Sequence, residues 1–460
     1  MSDYSQITIL SAVPLSAENI NVVECDVFST SALATALNDV SSPFVGIMTR
    51  YNDVTLLADS LLFMLDCLAE PGVAMTYADY VRLSASGKQL LRLNDPERHV
   101  VRDSFDFGAV IVARTSDVRR VLSSIPVSSY AAVYGVELGL QRLGSVYHTA
   151  VPAGVVADKD SRASDQKQFD YVNPLYSLYQ KELEVVCTAH LNAIGASVSL
   201  HNAKPWVSSG SFPVTASVVI PVRNRHLTIA DAVKSALSQK TDFDYNVIVV
   251  DNHSDDGTTD ILKSLASSDC RLIHVIPQTD DLGIGGCWNL AVSNNLCGRY
   301  AVQLDSDDLY ADENTLQKMV RKFAEAPYAM VVGSYKLVDF DFNTIPPGVI
   351  DHKEWTDANG ANNALRVNGL GAPRAFCSDW LRLNPFPNVS YGEDYAAGLA
   401  ATRDRLLGRL FEPVYLCRRW NGNSDAGLRP EQEAVHNAYK DRLRSDEVQR
   451  RIDMNSSANV

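Results

Sequence analysis

From residue 216 the chain alternates apolar, β-branched runs with segments of helical spacing, and this alternation constrains the fold more than any other feature. Ala216–Val222 (ASVVIPV) is almost continuously apolar, as a strand buried on both faces requires. Ile229, Ala232, Val233, Ala236 and Leu237 then recur at helical spacing within 228–239. Asn246–Asp251, Arg271–Ile276 and Tyr300–Asp305 read as three further strands, with helices over 257–266 and 286–296 between them. Alternation of this kind predicts an α/β unit with a mainly parallel sheet. Asp-rich segments follow two of the strands, at 251–256 and 305–308. Open α/β sheets bind ligands at those carboxyl ends.

At 460 residues the chain is long enough for two to three domains. Its formal charge of −14 argues against a basic nucleic-acid-binding surface, so no nucleic-acid partner is expected. The long uncharged stretches 185–203 and 205–222 are too polar for a spanning helix, so no transmembrane segment is expected. Peripheral membrane contact and self-association stay open. The opening MSDYSQITIL lacks the pattern of a signal peptide. The eight cysteines form no CxxC pair and read as free thiols in a reducing compartment. A cytoplasmic location follows as the expectation.

The first 150 residues read as a second, smaller α/β domain whose segments echo the later half. Asn21–Asp26 resembles Asn246–Asp251, and Phe44–Asp53 resembles Tyr300–Asp308. Met75–Tyr80 resembles Val332–Tyr335, Tyr134–Leu138 resembles Tyr391–Tyr395, and Tyr179–Leu183 resembles Tyr439–Leu443. The offset stays near 256–260 from residue 49 onward, which points to a degenerate tandem repeat. Between the halves, Pro174–Ile194 reads as an amphipathic helix with Leu175, Leu178, Tyr179, Leu183, Val186 and Leu191 on its apolar side. Lys159–Gln168 reads as a loop and Pro205–Pro213 as a linker. The tail from Asn455 is expected to be disordered.

Three acidic clusters in the second half can carry chemistry. Asp251-Asn-His-Ser-Asp-Asp256 closes a strand and opens a helix, where a carboxylate can accept from a base or ribose or simply cap the helix. Asp305-Ser-Asp307-Asp308 packs three carboxylates into four residues. Such a cluster suits a hard cation shared with phosphates, Mg²⁺ or Mn²⁺, or else a solvated turn. Gly392-Glu393-Asp394 stands at a helix start, where an Asp can be a general base or a charge favoured by the helix dipole.

Taken in order with Val219-Ile-Pro-Val-Arg-Asn224 and the Gly283–Asn289 helix entry, these clusters resemble family 2 glycosyltransferases with a GT-A fold. The resemblance covers about 216–425. It implies a mixed, mainly parallel sheet flanked by helices and a catalytic domain at 214–426. Ahead of it come a degenerate, non-catalytic GT-A-like domain at 1–158 and a helical connector and linker at 159–213. A C-terminal helix and flexible tail follow at 427–460. It implies metal-dependent, inverting, hexosyl-type transfer from a nucleotide-sugar to a hydroxyl of a glycan, lipid-linked or protein acceptor, within glycan or polysaccharide biosynthesis. The donor-binding residues would be Pro221, Arg223, Asn224, Asp251, Asn252, Ser254, Gly285, Asn289, Asp305 and Asp308. Asp305 and Asp307 would form the DxD pair on a divalent cation, Mn²⁺ or Mg²⁺, and Asp394 would be the catalytic base. Glu393, Trp380 and Trp420 are candidates for the acceptor side. The chain departs from the family in having Arg223 at a common aromatic position and Asn421 near a common His position. Leu416 replaces the Gln of QxxRW, which speaks against a processive membrane synthase. The competing reading is a scaffold that binds nucleotide-sugar or carbohydrate without turning it over.

Overall fold

The computed structural model describes residues 4–15, 20–85, 87–157, 176–199, 203–353, 355–367, 369–420, 422–423 and 428–458. In the N-terminal half, six strands form one sheet: β1 (Ile7–Ser11), β2 (Asn21–Glu24), β3 (Phe44–Met48), β4 (Val73–Ala78), β5 (Val110–Arg114) and β6 (Ser145–Thr149). Their order is β2-β1-β3-β5-β4-β6. A smaller sheet of Val54–Leu56, Gly154–Ala157, Tyr80–Ser84 and Gly87–Leu91 lies beside it.

The later half builds a sheet of nine strands: β7 (Ala216–Val222), β8 (Tyr245–Asp251), β9 (Leu272–Val275), β10 (Tyr300–Gln303), β11 (Leu309–Tyr310), β12 (Met330–Val338), β13 (Thr344–Ile350), β14 (Arg374–Cys377) and β15 (Leu407–Arg418). The order is β9-β8-β7-β10-β14-β12-β15-β11, with β13 paired to β12. The helices that bear on function are α1 (Ala132–Gln141), α2 (Ser177–Ala193), α3 (Ile229–Leu237), α4 (Thr258–Ser268), α5 (Ile284–Ser293), α6 (Glu393–Asp404) and α7 (Pro430–Ala458). β8 is buried along its whole length and β7 at all but Pro221, which explains their unbroken apolar sequence. Val218, Ile220, Val247 and Val249 join Ile229, Val233, Cys287, Trp288 and Leu262 in one core between sheet and helices. Each fully buried aliphatic side chain there contributes roughly 1.5–3 kcal/mol.

The two sheets share one plan. β1 runs parallel to β2 and β3, β5 antiparallel to β3 and β4, and β4 parallel to β6. In the same positions β7 runs parallel to β8 and β10, β14 antiparallel to β10 and β12, and β12 parallel to β15. Even the register agrees: Phe44 faces Arg114, and Tyr300 faces Cys377. Residues 12–20 join β1 to β2, whereas 223–244 with α3 join β7 to β8.

Two helices differ from expectation. On α2, Leu183, Val186 and Leu191 are buried as their spacing predicts, together with Cys187 and His190. Leu178 and Tyr179 instead stay 67% and 40% exposed, because the helix packs on the protein only from its second turn onward. Leu175 and the Lys159–Gln168 loop lie outside the described residues. The tail from Asn455 is not disordered up to Ala458: α7 continues through it, and Asn455 Nδ2 donates to the Gly195 and Ser197 carbonyls at 2.8 Å each. Tertiary anchoring overrides the weak helix propensity of Asn and Ser here.

α7 joins the halves. Arg102 forms a two-pronged, buried ion pair with Asp441 at 2.8 and 2.7 Å. Arg444 also meets Asp441 at 3.0 Å and donates to the Leu365 and Val367 carbonyls. Between them lies a common core of Val101, Tyr134, Leu138, Leu183, Leu365, Leu370, Tyr395 and Val448. All eight cysteines are free, four of them buried and Cys270 exposed. Among the described residues no helix is long and apolar enough to cross a membrane.

Candidate active site

The loops after β7, β8 and β10 gather at one sheet edge and are tied to each other by side chains. Asp251 is fully buried and accepts from Ser254 N (3.1 Å), Thr259 Oγ1 (2.6 Å) and His274 Nε2 (3.2 Å). Burial alone would raise its pKa, but the bonds from His274, Thr259 and Ser254 outweigh it and hold the carboxyl down at about 2. Ser254 Oγ accepts from Asn224 N, and Asn224 Oδ1 accepts from Asp255 N, both at 2.9 Å. Asp251, Asn224 and Ser254 thus lock two loops together beside the adjoining cavity. Asn252 does line it. Its Nδ2 donates to the Leu282 carbonyl at 2.7 Å, while its buried Oδ1 has no partner among the described residues.

That cavity is about 550 Å³ in volume. Pro221, Arg223 and Arg225 line it from the β7 side, Asp305, Asp307 and Asp308 from β10, and Glu393, Asp394 and Lys440 from α6 and α7. The acidic cluster is held by a frame of donors. Gln303 Nε2 donates to both Asp305 oxygens at 2.9 and 3.1 Å, and Arg418 N donates to Asp308 at 2.8 Å. Asp307 Oδ2 accepts from Trp420 Nε1 (3.1 Å) and Asn423 Nδ2 (3.2 Å), with Arg225 Nε 3.9 Å away. Burial, and then the neighbouring carboxylates, push Asp305 up and Asp308 well up from the ordinary value. Three clustered carboxylates of this kind form an oxygen-only donor set that a divalent cation would neutralise. Among the described residues no group of three or more His, Cys, Asp and Glu is arranged to hold a metal by itself. Asn421 lies outside them.

Opposite this cluster stand Glu393 and Asp394. Gly392 precedes them at φ +79, a left-handed turn that starts α6 and leaves room for the Tyr439 ring. Asp394 pairs with Arg374 at 2.5 Å. Burial favours its neutral form, yet Arg374 and Lys440 outweigh burial and lower its pKa. Glu393 is pushed the other way, to about 8, by burial and the Asp394 charge, and its Oε2 is buried without a partner among the described residues. Lys440 reaches the cavity from α7, lying 4.5 Å over the Tyr391 ring. Burial lowers it to about 8 although Asp394 and Glu393 pull it upward.

The remaining predicted residues are structural. A Cβ on Gly285 would fall 1.9 Å from the Pro387 carbonyl, so only glycine allows α5 to approach that strand of chain. Asn289 holds the same segment by exchanging two hydrogen bonds with the Phe386 backbone, at 2.8 and 3.0 Å. Together they position Gly392-Glu393-Asp394, and neither lines the cavity. Trp380 is 1% exposed and packs against Phe376 in the core, so it offers no ring to an acceptor. Trp420 orients Asp307 and likewise does not line the cavity. Arg374, Gln303 and Lys440 went unnoticed in the sequence. Nothing local marks the first two, and Lys440 was marked only by its place in the repeated Tyr439–Leu443 segment.

Residues 217–376 match the family described as Glycosyl transferase family 2. Over 125 residues, 27% of the chain, it is 34% identical to TuaG of Bacillus subtilis (strain 168), described as a teichuronic acid biosynthesis glycosyltransferase. That match spans 48% of TuaG. Over 119 residues it is 31% identical to the GalNAc(5)-diNAcBac-PP-undecaprenol beta-1,3-glucosyltransferase of Campylobacter jejuni, covering 26% of the chain and 37% of that protein. The chain therefore spans about half or less of the curated relatives it matches. Among solved structures, S. aureus TarS 1-349 with UDP-GlcNAc aligns at 22% identity and TM-score 0.41, over 51% of this chain and 66% of that one. The matched region stops short of Glu393, Asp394 and Lys440, which the tertiary fold alone brings to the same cavity. The segment that carries the acidic cluster, residues 217–376, belongs to glycosyl transferase family 2.

Proposed function

We propose that the second half of the chain is a metal-dependent, inverting glycosyltransferase that moves a sugar from a nucleotide-sugar to an acceptor hydroxyl in polysaccharide biosynthesis. The observation that supports it most is convergence: Asp305, Asp307, Asp308, Glu393 and Asp394 face one cavity large enough for a nucleotide-sugar. Asp305 and Asp307 would hold a divalent cation, leaving its other positions to the donor phosphates. Bound there, such an ion supplies electrostatic stabilisation of the diphosphate leaving group.

The rest is done by side chains. Pro221, Arg223 and Asn252 would bound the donor end. Arg374 keeps Asp394 ionised at neutral pH, so Asp394 can take the acceptor proton as the hydroxyl attacks C1 from the face opposite the leaving group. A single displacement of that kind inverts the anomeric centre and needs no covalent intermediate. Glu393 stays protonated at pH 7 and serves as a hydrogen-bond donor beside the base, not as a second base. We assign residues 1–158 a non-catalytic role, since Thr49-Arg-Tyr-Asn-Asp53 stands where the later half has its acidic cluster. The boundaries 159–213, 214–426 and 427–460 complete the proposed division.

A thermal-shift screen of UDP- and GDP-sugars with Mn²⁺ tests the donor site. At least one donor should raise Tm, and Asp305→Ala should cancel the shift. Transfer or hydrolysis of that donor should then stop on adding EDTA. A donor that stabilises the chain yet is never turned over would establish the scaffold reading in its place.

A further inference from the structure

The N-terminal half retains the architecture of the catalytic mouth after losing its acids. With the two sheets matched strand for strand, Tyr51 stands where the later half has Asp307, and Glu137 where it has Asp394. Tyr179 on α2 corresponds to Tyr439 on α7 in the repeated segment. The place of the metal-side carboxylate is taken by an aromatic ring. Tyr51 stacks on Phe28 with centroids 4.2 Å apart and planes 28° apart, and its outer face remains 57% exposed. Tyr130 and Tyr179 are 48% and 40% exposed on adjoining segments: Ala132, two residues after Tyr130, donates its N–H to the Phe28 carbonyl at 3.0 Å, and Tyr179 lies one helical turn before Glu182. Glu182 Oε2 pins the Tyr130 loop by accepting from Ser129 N (2.9 Å) and Tyr130 N (2.7 Å). Asp26 accepts at 3.1 Å from the N–H of Phe28, the residue on which Tyr51 stacks.

Three exposed tyrosines on neighbouring segments, Tyr51 stacked on Phe28 and the Tyr130 backbone pinned by Glu182, have a defined ligand chemistry. The rings offer flat apolar faces to the C–H face of a pyranose, and the hydroxyls and carboxylates accept from sugar hydroxyls. Asp26 and Glu182 add negative charge that disfavours phosphate, so a neutral ligand suits the platform better than a nucleotide or an anionic lipid surface. We infer that the former active-site mouth of the N-terminal half is a binding platform for a neutral oligosaccharide, built on Tyr51, Tyr130 and Tyr179.

The platform lies on a physical route to the cavity. Gln180, next to Tyr179 on α2, accepts from Arg366 at 2.7 Å, and Arg366 is also paired with Asp103. The segment that follows Arg366 supplies Gly369, Leu370 and Gly371 to the cavity wall. A glycan chain held on the first half would therefore sit beside the element that borders the second site. The inference does not depend on the transferase reading, since its measurement is binding and not turnover.

The test is saturation-transfer NMR on the full chain with three neutral probes, maltotetraose, laminaritetraose and chitotetraose, and with inorganic phosphate as the anionic control. At least one tetrasaccharide should show transfer. The double variant Tyr51→Ala/Tyr130→Ala should reduce that signal at least fivefold, while Tyr51→Phe retains it and Asp305→Asn leaves it unchanged. The melting temperature and the Mn²⁺-dependent donor shift of the double variant should match the parent, showing that the fold survives. Absence of transfer from all three probes would overturn the inference. So would a signal lost in Asp305→Asn but kept in the tyrosine variant, since it would place the sugar in the catalytic cavity.

Discussion

Arg374 and Asp394 form a 2.5 Å ion pair in the cavity wall, although one residue opens β14 and the other is the second residue of α6. Arg374 Nε also meets Gln303 Oε1 at 3.1 Å, and Gln303 in turn holds Asp305. A single buried chain of contacts thus runs from the acidic cluster to the proposed base, so its two ends titrate as one system.

Removing the cation from that chain should show in a pH profile. In Arg374→Met, burial is left to dominate and the Asp394 pKa rises. A base acts only above its pKa, so the acid limb of kcat/KM should move to higher pH. Asp394→Asn should lower kcat by about 10²–10⁴, the usual range for a lost general base, while the donor-induced thermal shift persists. A normal kcat in Asp394→Asn would remove it from the mechanism.

Glu393 makes the opposite prediction. With its pKa near 8 it is neutral at pH 7, so the neutral amide of Glu393→Gln should keep activity at pH 7 within about threefold. Above pH 8 the parent gains a second negative charge beside Asp394 and should lose more rate than Glu393→Gln, in which only Lys440 titrates over that range. Rate measurements from pH 6 to 9.5 on both proteins decide this.

The counterpart carboxyl in the first half should appear in stability instead of rate. Burial, and then the Asp106 charge, raise Glu137 from the ordinary 4.5 to about 8. Between those values the folded chain binds a proton that the unfolded chain does not, so this contribution is full below pH 4.5 and is lost as pH climbs through 8. Differential scanning calorimetry should find Glu137→Gln more stable than the parent at pH 8.5, by a few degrees, and the gap should close toward pH 5.

Asp441 anchors α7 to the first half through Arg102 and holds Arg444, which bonds to the Leu365 and Val367 carbonyls of the second. Asp441→Ala leaves Arg102 and Arg444 buried beside a missing charge and should cost about 3–5 kcal/mol. Urea denaturation reads that loss. Since Lys440 enters the cavity from the same turn of helix, activity should fall at urea concentrations below global unfolding.

Much of this molecule was written locally. The ASVVIPV and NVIVVD runs read as strands buried on both faces, and the Asp-rich segments 251–256 and 305–308 follow the carboxyl ends of β8 and β10. The fixed offset between distant segments anticipated two sheets of one design, because strand order and register repeat with it. Local reading does not show how a side chain with two uses is engaged in the fold. Asp251 and Asn289 carry the right chemistry for a donor, yet their hydrogen bonds are spent inside the protein on loops and turns. Trp380 had the ring a sugar needs, but packing buried it.

The sequence by itself determined the alternation of strands and helices, the repeat, and which carboxylates end beside which strands, since periodicity and turn chemistry are local properties. Only the tertiary structure decided which of those carboxylates share a cavity and which proton state each holds. Arg374 and Lys440 arrive from far along the chain, and a pKa is set by burial and by charges a few ångströms away in space, whatever their distance in sequence.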